Sequence, residues 1–292
     1  HAVITVTTHT NVTEEMLSKA EIIFGWPKHD ELRKAVNLKW LHLPSAGADG
    51  YTDPSVYVNN DILLTTSSGV YGRAIAEHVF AMILSYNRNL QEYSLLKEEK
   101  RWSTILSTKD FYGSTVGIIG FGDIGKEVAI RAKAFGARVL IVKRTLSNTP
   151  EYVDELYITE EIDQVLKQSD YIVLTLPATE KTKDIISRER LSIMKSDAFI
   201  VNIGRGELVD QEALIEALRE HRIGGAGLDV MTPEPLPADN PLWELPNVII
   251  TQHSSGLSVG NDNRRTRLFA DNLKRYLNNE RLMNIVDFSE GY

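Results

Sequence analysis

The sequence predicts an α/β fold: two Rossmann-like domains with parallel sheets and an active-site cleft between them. Three observations carry this expectation. Short apolar runs of strand length alternate with helix-length amphipathic stretches along nearly the whole chain. The alternation occurs twice, with a long helical stretch and a polar bridge between the two series. The length of 292 residues also suits two domains of roughly 100–200 residues each.

The first series reads as strand Val3–Thr8, helix Glu14–Ala20 and strand Glu21–Phe24. Helix Asp30–Val36 follows, with Asp30 as its N-cap, and then strands Trp40–Leu43 and Ile62–Thr66. A chain that opens directly on a strand leads us to expect a further strand and helix upstream. A long helix starts near Arg73, with Ile75, Val79, Met82 and Ile83 apolar at helical spacing, and beyond Lys100 the pattern loosens. The second series begins with strand Val116–Ile119 and a helix that runs to about Phe135 and is ended by Gly136. Strands Arg138–Val142, Tyr171–Thr175, Ala198–Asn202, Gly225–Asp229 and Val248–Thr251 follow, with helices such as Gln211–His221 between them. A last helix, about Asn261–Leu277, has Leu268, Leu273 and Leu277 as its apolar positions. The expected division is an outer, substrate-binding domain of residues 1–86 plus 263–292, and a dinucleotide-binding domain of residues 87–262.

Composition narrows the function. Apolar residues at 42% and charged residues at 25% are ordinary for a globular chain. The longest apolar candidate, Ala74 to Leu84, is broken by Glu77 and His78, so no run approaches the ~20 residues of a membrane span. No secretory signal is visible, and a cytoplasmic location is expected. A net charge of −8 argues against general affinity for nucleic acid or anionic membrane. The absence of cysteine excludes disulfides, thiolate metal sites and thiol nucleophiles, and no metal site is expected.

The strongest motif is Gly120-Phe121-Gly122-Asp123-Ile124-Gly125, because it follows an apolar strand and opens a helix. In that context Gly120 permits the tight turn, Gly122 lets backbone approach a pyrophosphate, and Gly125 lets helix and strand pack closely. The helix N-terminus offers N–H groups and partial positive charge to the phosphates. A site selective for NAD carries an acid ~20 residues further on, to hold the ribose hydroxyls. Here no acid occurs from Arg138 through Pro150, and Lys143, Arg144 and Thr145 end the strand, Lys143 lying 23 residues after Gly120. Two cations and a hydroxyl suit a ribose 2′-phosphate, so NADP(H) is the preferred cofactor and NAD(H) a possible one.

Three further segments lie at carboxyl ends of strands, where ligands bind in open α/β sheets. Arg205 follows Asn202; a guanidinium there can hold a carboxylate and polarise a ketone. Glu234 stands between Pro233 and Pro235, and its alternative reading is an exposed acid in a proline loop. His253 alone of the seven histidines follows a strand end and precedes a Ser-Ser-Gly loop, whereas His42 and His78 read as packing or surface residues. A histidine with a carboxylate is the natural acid–base couple near neutral pH.

Together these residues resemble the D-isomer-specific 2-hydroxyacid dehydrogenase family, which includes glyoxylate/hydroxypyruvate reductases, D-lactate dehydrogenases and phosphoglycerate dehydrogenases. The resemblance rests on the strand–GxGxxG–helix unit, Asn-x-x-Arg-Gly at 202–206, Gly-Leu-Asp-Val at 227–230, Glu234-Pro235-Leu236, and His253 before the last helix. Spacings of 29 residues from Arg205 to Glu234 and 19 from Glu234 to His253 are similar to the glyoxylate/hydroxypyruvate reductase branch. The resemblance implies that Arg205 binds the substrate carboxylate and carbonyl, and that His253 protonates the carbonyl oxygen. It implies that Glu234 hydrogen-bonds His253 and favours its protonated form, and that Asp229 holds the nicotinamide carboxamide. Ser45, Ala46 and Gly47 match the loop whose N–H groups grip the substrate carboxylate. Asp123, Ile124, Pro177, Thr182, Ile203, Gly204, Ser255 and Gly256 complete the implied cofactor contacts. The implied substrate is a small 2-keto or 2-hydroxy acid, and the implied assembly a homodimer.

The chain departs from the family pattern at the missing ribose acid and at Ser254-Ser255-Gly256, where an aliphatic-Gly-Ser segment is commoner. Three alternatives stand beside the reductase. A formate dehydrogenase would carry Gln where this chain has Glu234. A phosphoglycerate dehydrogenase would carry a regulatory domain. A dinucleotide-sensing corepressor would bind without turnover.

Overall fold

The computed structural model describes residues 3–59, 61–145 and 148–289. Contacts divide the chain into two compact units: one runs up to Val70 and resumes at Val259, and the other is Tyr71–Ser258.

The first unit opens with α1 (Glu14–Lys19), whose first turn is capped by the Thr13 hydroxyl accepting from the Met16 N–H. Strand β1 (Ile22–Phe24), helix α2 (His29–Leu32), strand β2 (Trp40–Leu43) and strand β3 (Leu63–Thr66) follow. The three strands form a parallel sheet in the order β1-β2-β3. The strand expected at Val3–Thr8 is absent, and Val3, Ile4 and Val6 are exposed. Alternation supplies an apolar face, but a strand also needs a hydrogen-bonding neighbour, and no strand of this sheet pairs with the segment. Helix α2 is shorter than expected and is capped two residues earlier: Lys28, not Asp30, is its N-cap, and its N–H donates to the Glu31 carboxylate at 2.7 Å.

The second unit contains α3 (Gly72–Asn87), α4 (Leu90–Glu98), β4 (Thr115–Ile119), α5 (Asp123–Ala134), β5 (Arg138–Lys143) and β6 (Glu155–Ile158). It continues with α6 (Ile162–Gln168), β7 (Tyr171–Leu174), α7 (Arg188–Ser192), β8 (Phe199–Asn202), α8 (Gln211–Arg219), β9 (Gly225–Leu228) and β10 (Val248–Ile250). The strands form one parallel sheet in the order β10-β9-β8-β7-β4-β5-β6. Alternate residues face opposite cores. Val116, Ile118, Val139, Ile141, Val173 and Val201 pack with α3 and α5, while Ile119, Leu140, Val142, Ile172, Leu174 and Ile200 pack with α6, α7 and α8. Both faces are thus covered, as a parallel sheet requires.

Helix α3 moves the domain boundary from the expected residues 86/87 to 70/71. Its Ile75, Ala76, Val79, Met82 and Ile83 bury themselves in the core shared with β4, β5 and α5. At about 1.5–3 kcal/mol for each large apolar side chain buried, this face holds the helix to the second unit. The return boundary likewise falls at 258/259 rather than 262/263. Residues 1–2 and 290–292 of the expected outer domain lie outside the described residues.

The chain then re-enters the first unit through α9 (Asn261–Leu277). Of the expected apolar positions Leu268 and Leu273 are half-buried and Leu277 is exposed, while Phe269 stacks on Phe24 and Trp40 at 4.6 and 5.2 Å, and Tyr276 on Trp40 at 5.5 Å. Beside them His42 is fully buried. Its Nε2 lies 3.1 Å from Ser67 Oγ, whose own proton goes to the Leu43 carbonyl. Ser67 therefore accepts, and His42 carries its proton on Nε2. Its Nδ1 accepts from the Thr65 hydroxyl at 2.7 Å, and Thr65 in turn accepts from the Trp40 indole N–H. Burial pushes the His42 pKa down to about 4.

Candidate active site

The carboxyl edge of the seven-stranded sheet carries the site residues of the second unit in strand order. At the end of β4, Gly120 adopts φ 104°, a left-handed conformation open to glycine. A Cβ on Gly125 would collide with the Gly120 carbonyl oxygen, so helix α5 packs against the strand only without one. A Cβ on Gly122 would meet nothing within 4 Å, which leaves the approach to the helix N-terminus open. Gly122 is the N-cap and has no side-chain capping bond, so the first N–H groups of α5, from Asp123 and Ile124 onward, are available to an anion. The cradle fits a dinucleotide pyrophosphate. Asp123 contributes backbone alone: its carboxylate accepts the Gly72 N–H at 3.0 Å, and burial raises its pKa against that bond.

Next along the edge, β5 ends at Lys143, half-buried, with Arg144 and Thr145 exposed beyond it. On the other side, the loop after β7 is closed by Thr182, whose hydroxyl donates to Pro177 O at 2.7 Å and accepts from Thr179 N–H at 2.8 Å. Thr182 therefore shapes the Pro177 loop and does not present a free hydroxyl.

After β8, buried Asn202 staples the Arg205 loop from both sides. Its amide donates to Arg205 O at 2.8 Å, and its carbonyl accepts from the Gly204 N–H at 3.1 Å. Ile203 and Gly204 are buried beneath the loop, and Arg205 is half-buried in extended backbone. Gly206 seats the Arg205 loop against the segment after β9, since a Cβ there would collide with the Met231 carbonyl. That segment is held by Gln211, whose amide donates to Thr232 O at 2.6 Å and accepts from Thr232 N–H at 2.9 Å. Glu234 Oε1 accepts the Met231 N–H at 3.1 Å. Its Oε2 lies 2.8 Å from His253 Nδ1, which makes Nδ1 the protonated nitrogen facing the carboxylate. His253 Nε2 makes no hydrogen bond among the described residues and is available to a ligand.

The turn carrying His253 is built on Asp229. The Asp229 carbonyl accepts the His253 N–H at 2.7 Å. Its carboxylate accepts from Ser254 N–H at 2.9 Å, Ser255 N–H at 3.0 Å and the Thr251 hydroxyl at 2.5 Å. Burial alone would push this carboxyl up; the bonds from the Ser255 and Thr251 side chains and the two N–H groups outweigh it and hold the pKa low. The Asp229 carboxylate is fully buried and accepts the bonds that shape the His253 turn. Ser255 is buried in the same turn, and Gly256 follows it against Tyr71. His78, read from sequence as a packing or surface residue, also reaches this cluster, with Nε2 3.0 Å from Thr251 Oγ1.

Ser45, Ala46 and Gly47 belong to the first unit. The Ser45 hydroxyl donates to Gly47 O at 2.8 Å, and the Ala46 and Gly47 N–H groups have no partner among the described residues. Among the described residues no helix is long and apolar enough to cross a membrane.

Comparison with known proteins agrees with this chemistry. Residues 80–255 match the model of the D-isomer specific 2-hydroxyacid dehydrogenase NAD binding domain. A glyoxylate reductase of Korarchaeum cryptofilum is 36% identical over 255 residues, covering 85% of this chain and 76% of the relative. The solved structure of a D-isomer specific 2-hydroxyacid dehydrogenase family protein from Aeromonas salmonicida superposes with a TM-score of 0.85 at 33% identity, covering 94% of this chain and 87% of that one. An NADPH-dependent glyoxylate/hydroxypyruvate reductase from Sinorhizobium meliloti, solved with NADP and sulfate, gives 0.83 at 25% identity over 94% and 87%.

Proposed function

The chain belongs to the D-isomer specific 2-hydroxyacid dehydrogenase family, and from that premise we propose that it reduces a glyoxylate- or hydroxypyruvate-like 2-keto acid to the D-2-hydroxy acid, with NADPH as the preferred reductant. The observation that carries the reading is the 2.8 Å pair of His253 Nδ1 and Glu234 Oε2, on the same sheet edge as Arg205 and the glycine loop. Glu234 fixes the tautomer and turns Nε2 outward, where an imidazolium can donate to a carbonyl oxygen. Arg205 supplies the positive charge that holds a carboxylate and steadies the developing alkoxide. The Ala46 and Gly47 N–H groups are a further grip for that carboxylate. The nicotinamide, when bound, supplies the hydride.

Cofactor preference rests on Lys143, Arg144 and Thr145 at the end of β5 and on the lack of any acid from 138 to 150. Charge-assisted bonds to a 2′-phosphate are worth about 1.5–3 kcal/mol, or roughly ten- to a hundredfold in kcat/KM. The reading also places the enzyme in the cytoplasm as a homodimer. Leu90 and Leu95 of α4 and the following Trp102 and Leu106 are exposed on the second unit, the kind of surface a second copy would cover.

The test is the loss of NADPH or NADH absorbance with a panel of 2-keto acids. We expect turnover with glyoxylate or hydroxypyruvate, at least about tenfold better with NADPH. Arg144→Ala should raise KM for NADPH far more than for NADH, and Lys143→Asp should shift preference toward NADH. Tight NADPH binding without turnover of any keto acid would overturn the reductase in favour of a sensor. Equal efficiency with both cofactors would overturn the preference.

A further inference from the structure

His78 lies on α3, 173 residues from Thr251 in sequence, and has no part in the reaction as described so far. Its Nε2 is 3.0 Å from Thr251 Oγ1 and 4.0 Å from Asp229 Oδ1. Thr251 Oγ1 is itself 2.5 Å from Asp229 Oδ1. The direction of these bonds follows from counting protons. Asp229 is held ionised by the hydrogen bonds around it, so it can only accept. The single hydroxyl proton of Thr251 therefore goes to Asp229, and the Thr251 oxygen must accept from His78. His78 accordingly carries its proton on Nε2, and the donors run in one direction, from His78 through Thr251 to Asp229.

This chain of donors ends under the acid–base turn. His253 sits at φ 49°, a left-handed conformation uncommon for a residue with a Cβ and strained unless its surroundings hold it. What holds it is Asp229, which accepts the N–H groups of His253, Ser254 and Ser255 through its carbonyl and both carboxylate oxygens. Thr251 fills the remaining position on Oδ1, and His78 fixes Thr251. His78 lies beside the charged Asp229, and His253 beside Glu234.

We infer that His78 is a positioning residue for the acid–base histidine: its Nε2–H, relayed through Thr251, locks Asp229 so that the 253–255 turn keeps His253 on Glu234. The inference rests on the reading of His253 as the proton donor. It assigns the reaction a contribution from a residue that touches neither substrate nor cofactor.

The experiment compares His78→Phe, which keeps a ring and loses the donor, with His78→Gln, whose amide can still donate to Thr251. Thr251→Val and Thr251→Ser make the same comparison one bond further along, and serve if the His78 variants do not fold. Steady-state kinetics are measured with one keto acid, together with the NMR signals of the His253 ring in the protein without substrate. We expect His78→Phe and Thr251→Val to lower kcat about tenfold, with KM for the cofactor changed less than about threefold. The Nδ1–H signature of His253 should weaken, because the ring spends less time on Glu234. His78→Gln and Thr251→Ser should recover most of both. Equal losses in the donor-keeping and donor-lacking variants, or a wild-type kcat and His253 spectrum in His78→Phe, would overturn the relay. Loss of activity in His253→Ala alongside that result would show that the relay had failed and the acid–base reading had survived.

Discussion

Two histidines, His42 in the first unit and His253 in the second, show how surroundings decide what one side chain does. Both are reached from the carboxyl-terminal half of a short parallel strand, and both use two hydrogen-bonding nitrogens. At His42 each nitrogen is satisfied from within the protein, by Thr65 and Ser67, and aromatic rings close over it. At His253 only Nδ1 is satisfied, by Glu234, and Nε2 is left for something that is not protein. A histidine whose bonding capacity is filled stabilises a core; one with half its capacity open and its tautomer fixed is ready to move a proton.

The comparison breaks first at His253. His253→Ala should lower kcat for keto-acid reduction by roughly 10²–10⁴-fold with little change in cofactor affinity, measured by steady-state kinetics and fluorescence titration. Near wild-type kcat would remove the contrast altogether.

At His42 the expected signature is thermodynamic. A folded pKa of about 4 against an ordinary 6.5 means that the unfolded chain binds the proton more readily. The stabilisation is complete above the unfolded value and is lost as pH falls from about 6.5 toward 4, amounting to about 3 kcal/mol in all. Urea unfolding should show about 2 kcal/mol of it lost between about pH 7 and pH 5, and the His42 ring signals should stay those of the neutral form. Stability that does not change over that interval would show that His42 is no more sequestered than His253.

The smallest effect sharpens the contrast. Glu234→Gln keeps an acceptor for Nδ1–H and removes the charge. A charge-assisted bond holds the ring more firmly than a neutral one, so we expect kcat to fall about tenfold with KM for the cofactor unchanged. An unchanged kcat would mean that Glu234 orients the ring without acting through its charge.

What sequence made legible, and what it did not, divides along the same physical line. The glycine loop was readable because its geometry is local: strand, turn and helix are contiguous, and Gly120 and Gly125 meet one another. The pairing of Glu234 with His253 is legible in their order and spacing, since each follows a strand end on one sheet edge, as Arg205 does. His78 was dismissed because its partner is 173 residues away and no periodicity reports that. The part Asp229 plays in the His253 turn is hidden in the same way, because the groups that bond its oxygens come from the next strand and turn. Helix α3 is legible as a helix, but the unit it packs in is not, because an apolar face shows that a helix packs but not on which core. Strand β6 was missed because Glu155–Ile158 is a short edge strand, half-buried along its length, with a weak apolar signal.

The sheet order has a mutational consequence. From β10 to β5 is five strand spacings, roughly 24 Å at about 4.8 Å per strand. Substitutions that far apart with no shared partners contribute nearly independently. On the proposed function, substitutions at Lys143 and Arg144 would change cofactor preference nearly independently of substitutions around His253. Modularity of this kind follows from laying both sites along one edge of a single sheet.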